Sequence, residues 1–159
     1  MRLVVADTSP IRYLVQIGQI ELLPRLFEEI FLSSVVADEL RHPSAPPVVR
    51  DWMQQLPAWL EVMPVADVDD PALEALDRGE RSAIALGLSL NADLILIDDR
   101  KGATAALNKG FEVTGTLGVL DLAADRGLVD LVDVLDRLKR TNFLYRQGLF
   151  DALLKKHGE

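Results

Sequence analysis

The sequence predicts an α/β fold, a parallel sheet whose crossovers are helices, and three observations predict it. Short branched apolar runs, chiefly Leu3–Ala6, Ile30–Leu32 and Leu94–Ile97, read as strands buried on both faces. Segments of helical periodicity separate these runs, which makes right-handed crossovers between parallel strands the natural connection. Finally, two carboxylates, Asp98 and Asp99, stand where the central run ends. That is where open parallel sheets bind ligands.

In chain order, residues 3–6 form the first strand, which ends at Asp7. Ser9-Pro10 reads as an N-cap followed by Pro at the first helical position, so Asp7 is left as a free strand-end acid. Ile11, Leu14 and Val15 give this helix its apolar stripe, and Gly18 closes it. A second short helix runs through Ile20, Leu22, Leu23, Leu26 and Phe27, and the strand Ile30–Leu32 follows. Ser33 or Ser34 caps the next helix, in which Glu39 falls four residues after Val35 and three after Val36. That spacing puts Glu39 on their core-facing side and Asp38 towards solvent.

His42 to Pro47 is a loop, and Val48, Val49, Trp52, Met53 and Leu56 follow at helical spacing. Leu60 and Val62 alternate as in an edge strand, and an acidic turn from Asp67 to Pro71 leads into a helix through Leu73 and Leu76. Gly79-Glu80 opens a helix with Ala83, Ile84, Gly87 and Leu88 as its stripe, so Glu80 shares the buried face and sits where the helix dipole favours an anion. Helices then follow the Asp98-Asp99 pair as far as Lys109-Gly110, and run over Leu117–Ala124 and Leu128–Leu138, with a short strand at Phe111–Val113. Residues 145–156 form a last, basic amphipathic helix, packed on the body or used for a partner.

With 159 residues, residues 1–159 are expected to be one domain. Cys is absent, which excludes a disulfide framework, a thiolate metal site and a Cys nucleophile. No apolar run is long enough for a signal peptide or a membrane span, so the expected location is the cytoplasm. The net charge of −8 is unevenly spread. Residues 137–158 carry +5 and the rest −13, so a basic tail sits on an acidic body.

Asp7, Glu39, Glu80, Asp98 and Asp99 fall at strand ends or early on buried helix faces. If the two acid-bearing strands are neighbours, these carboxylates converge on one cleft. Hard oxygen donors without nitrogen or sulfur suit Mg²⁺ or Mn²⁺ rather than zinc. Mg²⁺ keeps several waters, one of which can act as a nucleophile on phosphorus. Metal-dependent phosphodiester hydrolysis is the reaction class this donor set indicates. Arg12, Arg100 and Lys101 are the candidate phosphate contacts.

The chain resembles PIN-domain ribonucleases of the kind found as VapC-like toxins in toxin–antitoxin pairs. The residues that carry the resemblance are Asp7-Thr8-Ser9, Glu39, Gly79-Glu80 with Ala83, and Leu94–Asp99. Gly115-Thr116-Leu117-Gly118-Val119-Leu120 resembles a subgroup of PIN proteins of uncharacterised function. The resemblance implies a three-layer α/β/α PIN-like fold around a central parallel sheet. It also implies Mg²⁺ or Mn²⁺ at the acids, an RNA substrate, a homodimer and a small antitoxin protein as inhibitor. Asp7, Glu39, Glu80 and Asp99 would be the catalytic and metal-holding acids, with Asp98 supporting. Many members carry Thr or Ser two residues before the last acid and a further Asp two residues after it; here Ile97 and Lys101 stand there. The rival reading is a PIN-fold nucleic-acid- or protein-binding module with a weak or inactive site. A receiver domain or a haloacid-dehalogenase-type phosphatase fits worse, because the first strand ends in Asp7 alone and position 9 is Ser.

Overall fold

The computed structural model describes residues 2–66 and 69–158. Five parallel strands, β1 (Val4–Ala6), β2 (Ile30–Ser33), β3 (Leu60–Met63), β4 (Leu94–Leu96) and β5 (Glu112–Thr114), lie in the order β3-β2-β1-β4-β5. Helices flank the sheet in a three-layer α/β/α arrangement. All three residues of β1 and of β4 are buried, so these two strands form the centre of the core. The alternating segment Leu60–Met63 is an edge strand, as its polar alternation predicts, and β5 is the other edge.

The chain builds outwards from β1 through β2 to β3, then jumps back to place β4 on the other side of β1. The order therefore reverses between β1 and β4. That is the switch point where a crevice opens at the carboxyl ends of the strands. Ala6 pairs with Leu96, and the Asp7 N–H donates to the Leu96 carbonyl at 2.8 Å. The two acid-bearing strand ends are thereby held side by side.

The helices are α1 (Thr8–Gln16), α2 (Leu22–Phe27), α3 (Ser34–Arg41), α4 (Pro47–Met53), α5 (Arg78–Leu90), α6 (Arg100–Asn108), α7 (Thr116–Asp125), α8 (Leu131–Lys139) and α9 (Gln147–Lys156). α5 packs on β1, β2 and β4, and it comes close: a Cβ at Gly87 would lie 2.7 Å from Ile95 Cδ1. Ser33 caps α3 by accepting from the Val36 N–H. Its hydroxyl meets Ser82 of α5 at 2.7 Å, while Ser82 donates to the Gly79 carbonyl. This buried chain of hydroxyls ties the start of α3 to the start of α5.

Several expectations shift. α1 begins at Thr8 with Asp7, not Ser9, in the N-cap position, because the backbone turns helical directly after the strand. The helix expected through Leu73 and Leu76 is only a short 3₁₀ turn at Pro71–Leu73 capped by Asp70. The acidic turn before it falls partly outside the described residues, since Asp67 is among those not described. Leu88, read as part of an apolar stripe, is 40% exposed at the outer edge of α5. Among the described residues no helix is long and apolar enough to cross a membrane.

Candidate active site

Asp7 follows β1 directly and is 5% exposed, so its carboxylate is carried into the interior by the strand itself. It makes no side-chain cap to α1. Burial raises its pKa to about 8. The Thr8 N–H opposes that rise, while the charges of Glu80, Asp77 and Glu39 add to it. No ion pair reaches Asp7, Glu39, Glu80 or Asp99 among the described residues. A buried acid among other acids, without a cation, stays neutral rather than pay the cost of an unpaired charge.

Glu80 enters from the first turn of α5 and is 7% exposed. It completes a capping box with Asp77: the Glu80 N–H donates to Asp77 Oδ1 at 2.8 Å and the Asp77 N–H donates to Glu80 Oε1 at 3.0 Å. Burial raises its pKa to about 7, and its hydrogen bond with Asp99 adds to the rise. Glu80 and Asp99 thus lie within hydrogen-bond reach of each other.

Glu39 differs from its expected setting. It is exposed rather than packed with Val35 and Val36, because its side chain reaches out over the start of α1, where the Thr8 hydroxyl donates to Oε2 at 2.6 Å. Gly79 lies under it: a Cβ there would sit 2.5 Å from Glu39 Oε1. Asp38 faces solvent as its spacing predicts.

The Asp98-Asp99 pair divides its work. Asp99 is the N-cap of α6 and accepts from the Gly102 N–H at 3.0 Å. Asp98 turns away to the start of α7, where the Thr116 N–H and hydroxyl donate to its two oxygens at 2.6 and 2.7 Å. Both acids thus have a hydrogen-bonding task. Asp98 is largely buried, which raises its pKa against the lowering effect of both Thr116 bonds. The structure therefore gathers Asp7, Glu39, Glu80 and Asp99, adds Asp77, and leaves Asp98 at the margin.

Asp77 was missed by the sequence reading, although Asp77-Arg78-Gly79-Glu80 carries the capping-box spacing that reveals it. Thr116 as the partner of Asp98 had no local signal, since eighteen positions separate them. Of the candidate phosphate contacts, Arg100 and Lys101 are exposed at the start of α6. Arg12 is half-buried on α1 and points one guanidinium nitrogen at Asn142 Oδ1, at 3.4 Å.

The donor set of Asp7, Glu39, Glu80 and Asp99 is all oxygen, which matches Mg²⁺ or Mn²⁺. These oxygens do not close into a tight trio. Among the described residues, the three-ligand group with atoms within 4.8 Å of one another is Asp121, Asp125 and His157, on α7 and just past α9. That group already holds Lys156, whose ammonium lies 2.9 Å from Asp121. A wider oxygen set suits an ion that keeps several waters and takes only one or two carboxylates directly.

No curated protein matches this chain. A family model described as a PIN domain matches residues 3–159, nearly the whole length. Members of that family are generally nucleases and typically use divalent metals. The match spans both acid-bearing strands and the helices that supply Glu39 and Glu80, and on that extent the chain belongs to the PIN-domain family.

Proposed function

We propose that this protein is a metal-dependent endoribonuclease that hydrolyses RNA phosphodiester bonds at the acid cluster around Asp7. The observation that carries the reading is the buried Asp7 carboxyl at the switch point of the sheet, facing Glu80, Asp77 and Glu39 with no cationic partner among the described residues. Asp7, Glu39, Glu80 and Asp99 would hold Mg²⁺ or Mn²⁺, and Asp98 would support them by fixing the turn between β4 and α6 against α7. When bound, such an ion supplies a nucleophile at neutral pH and stabilises charge developing on the phosphate oxygens.

The chain's own residues prepare that site. The Thr8 hydroxyl orients Glu39, the Asp77 N–H orients Glu80, and the Gly102 N–H orients Asp99. With a cation bound there, Asp7 and Glu80 would be held as carboxylates, because a nearby opposite charge offsets the burial that favours their neutral forms. The resemblance through Asp7-Thr8-Ser9 and Gly79-Glu80 supports a cytoplasmic toxin of a toxin–antitoxin pair. In that role it acts as a homodimer restrained by a small antitoxin protein.

Purified protein with Mg²⁺ or Mn²⁺ should cleave RNA. Asp7→Ala and Asp99→Ala should each abolish cleavage with a native circular dichroism spectrum, whereas Asp38→Ala, on the solvent side of α3, should leave it intact. Equal cleavage by wild type and Asp7→Ala would sink the reading. It would leave the second one, a binding module with an inactive site. Ile97 favours that alternative: its side chain is 2% exposed and apolar where many relatives place a hydroxyl.

A further inference from the structure

An open groove of about 620 Å³ runs from Asp98 and Asp99 towards the segment joining α8 to α9. Its volume is in the range of real ligand sites. Two features of its walls are unusual for so acidic a chain. Arg100 and Arg146 both line it, and neither has an ion pair or a side-chain hydrogen bond among the described residues. Elsewhere in the basic C-terminal stretch Arg137 pairs with Asp133, Arg140 with Asp136 and Lys156 with Asp121, while the Lys139 ammonium lies 6.0 Å from the Tyr145 ring centroid and adds a further positive charge beside the aromatic pair. The second feature is aromatic. Tyr145 lines the groove, 39% exposed, with its ring stacked on the fully buried Phe150 at 4.3 Å and 20°. One face of the ring is thus backed by the core, which holds a flat apolar platform rigid at the surface. Nearby, Tyr13 and Phe143 meet edge to face at 5.1 Å, and the Tyr13 hydroxyl donates to Asn142 Oδ1, which fixes this segment to α1.

We propose that this groove is the path of a single RNA strand into the acid cluster, with a base stacked on Tyr145 and phosphates held by Arg100 and Arg146. The proposal rests on the ribonuclease reading for its direction, since the groove opens at Asp98 and Asp99. A rigid aromatic face next to unpaired guanidinium groups is the recognition chemistry of unstacked nucleotides. Guanidinium suits phosphate because its planar fork matches two oxygens at once. A duplex hides its base faces and gains nothing from Tyr145, so the substrate class is single-stranded RNA or an unpaired loop.

The test is binding of a short labelled oligoribonucleotide, alone and as a duplex, by fluorescence anisotropy in EDTA. Cleavage with Mn²⁺ is followed in parallel. The single strand should bind more tightly than the duplex. Tyr145→Leu should weaken single-strand binding by about tenfold, and Tyr145→Phe, which keeps the stacking face, should stay within about twofold of wild type. Arg100→Gln with Arg146→Gln should flatten the slope of log affinity against log salt by about 1.4, or about 0.7 for each lost phosphate contact. Unchanged single-strand affinity in both Tyr145→Leu and the double arginine variant would overturn the groove proposal, whatever happens to cleavage. So would a preference for duplex. So would sedimentation showing that Leu144→Ser and Tyr145→Leu only dissociate a dimer, since the groove would then be a contact between copies. Weakened binding in these variants, with no cleavage by wild type, would instead overturn the nuclease reading and leave the strand path standing.

Discussion

Asp7 is placed by β1 and kept by its neighbours. Ala6 pairs with Leu96, so the next residue must project at the junction of the two central strands, where α5 and α1 close over it. Its position was legible in the sequence, since an acid after a short apolar strand has few other places to go. Its energetics were legible only in outline, because they depend on Asp77 and Glu80 approaching from a different element. The consequence for stability has a definite sign. Asp7 has its folded pKa raised to about 8, from 3.8. The unfolded chain therefore loses the proton first, and the stability associated with neutral Asp7 is complete below about pH 4 and is lost as pH rises to about 8. Glu80, raised to about 7, acts in the same direction over a narrower window. In EDTA, the melting temperature of the wild type should fall between pH 5 and 8, and that of Asp7→Asn should fall less over the same range. Parallel curves for the two proteins would show that Asp7 is already ionised in the fold.

At the level of elements, the helices that bear the acids are fixed at their first turns. Ser33 and Ser82 lock α3 to α5, the Asp77–Glu80 box starts α5, and Asp99 starts α6. The parallel strands and most helices could be read from periodicity, because burial on both faces leaves few patterns open to a β1 or a β4. The first turns were read less well. Ser9-Pro10 looks like a helix start in isolation, but the chain turns at Asp7 because β1 ends there. Glu39 follows the stripe of α3 by spacing, yet the Thr8 hydroxyl draws it outwards. Both departures are tertiary effects acting on the last turn of choice. The basic α9 shows which force attaches an element to the body. Phe150 is fully buried, whereas Lys156 reaches Asp121 from the surface and His157 meets it half-buried. Phe150→Ala should cost about 3–5 kcal/mol in denaturant unfolding. Asp121→Asn should cost less than about 1 kcal/mol. The reverse order would mean that charge, not packing, seats this helix.

For the whole molecule, strand order decides where the chemistry lies. The order β3-β2-β1-β4-β5 brings Asp7 and the Asp98-Asp99 turn to one crevice, although more than ninety residues separate them in the chain. The adjacency of the two acid-bearing strands was the condition on which that convergence depended, and β1 and β4 are neighbours. The net charge of −8 then has a local meaning. A share of it is concentrated where a cation can relieve it, while Arg100 and Arg146 stand along the groove that leads there.

The most direct measurement of that central claim is the melting temperature with and without Mn²⁺. A divalent ion that binds only the folded state stabilises it by roughly 2.7 kcal/mol at a hundredfold excess over Kd. Millimolar Mn²⁺ should therefore raise the melting temperature of the wild type by several degrees. Asp7→Asn, which removes a buried acid at nearly constant shape, should melt higher than wild type in EDTA and gain much less from Mn²⁺. If Asp7→Asn instead melts lower than wild type in EDTA, and Mn²⁺ moves neither protein, Asp7 is a structural acid and the crevice is not a metal site.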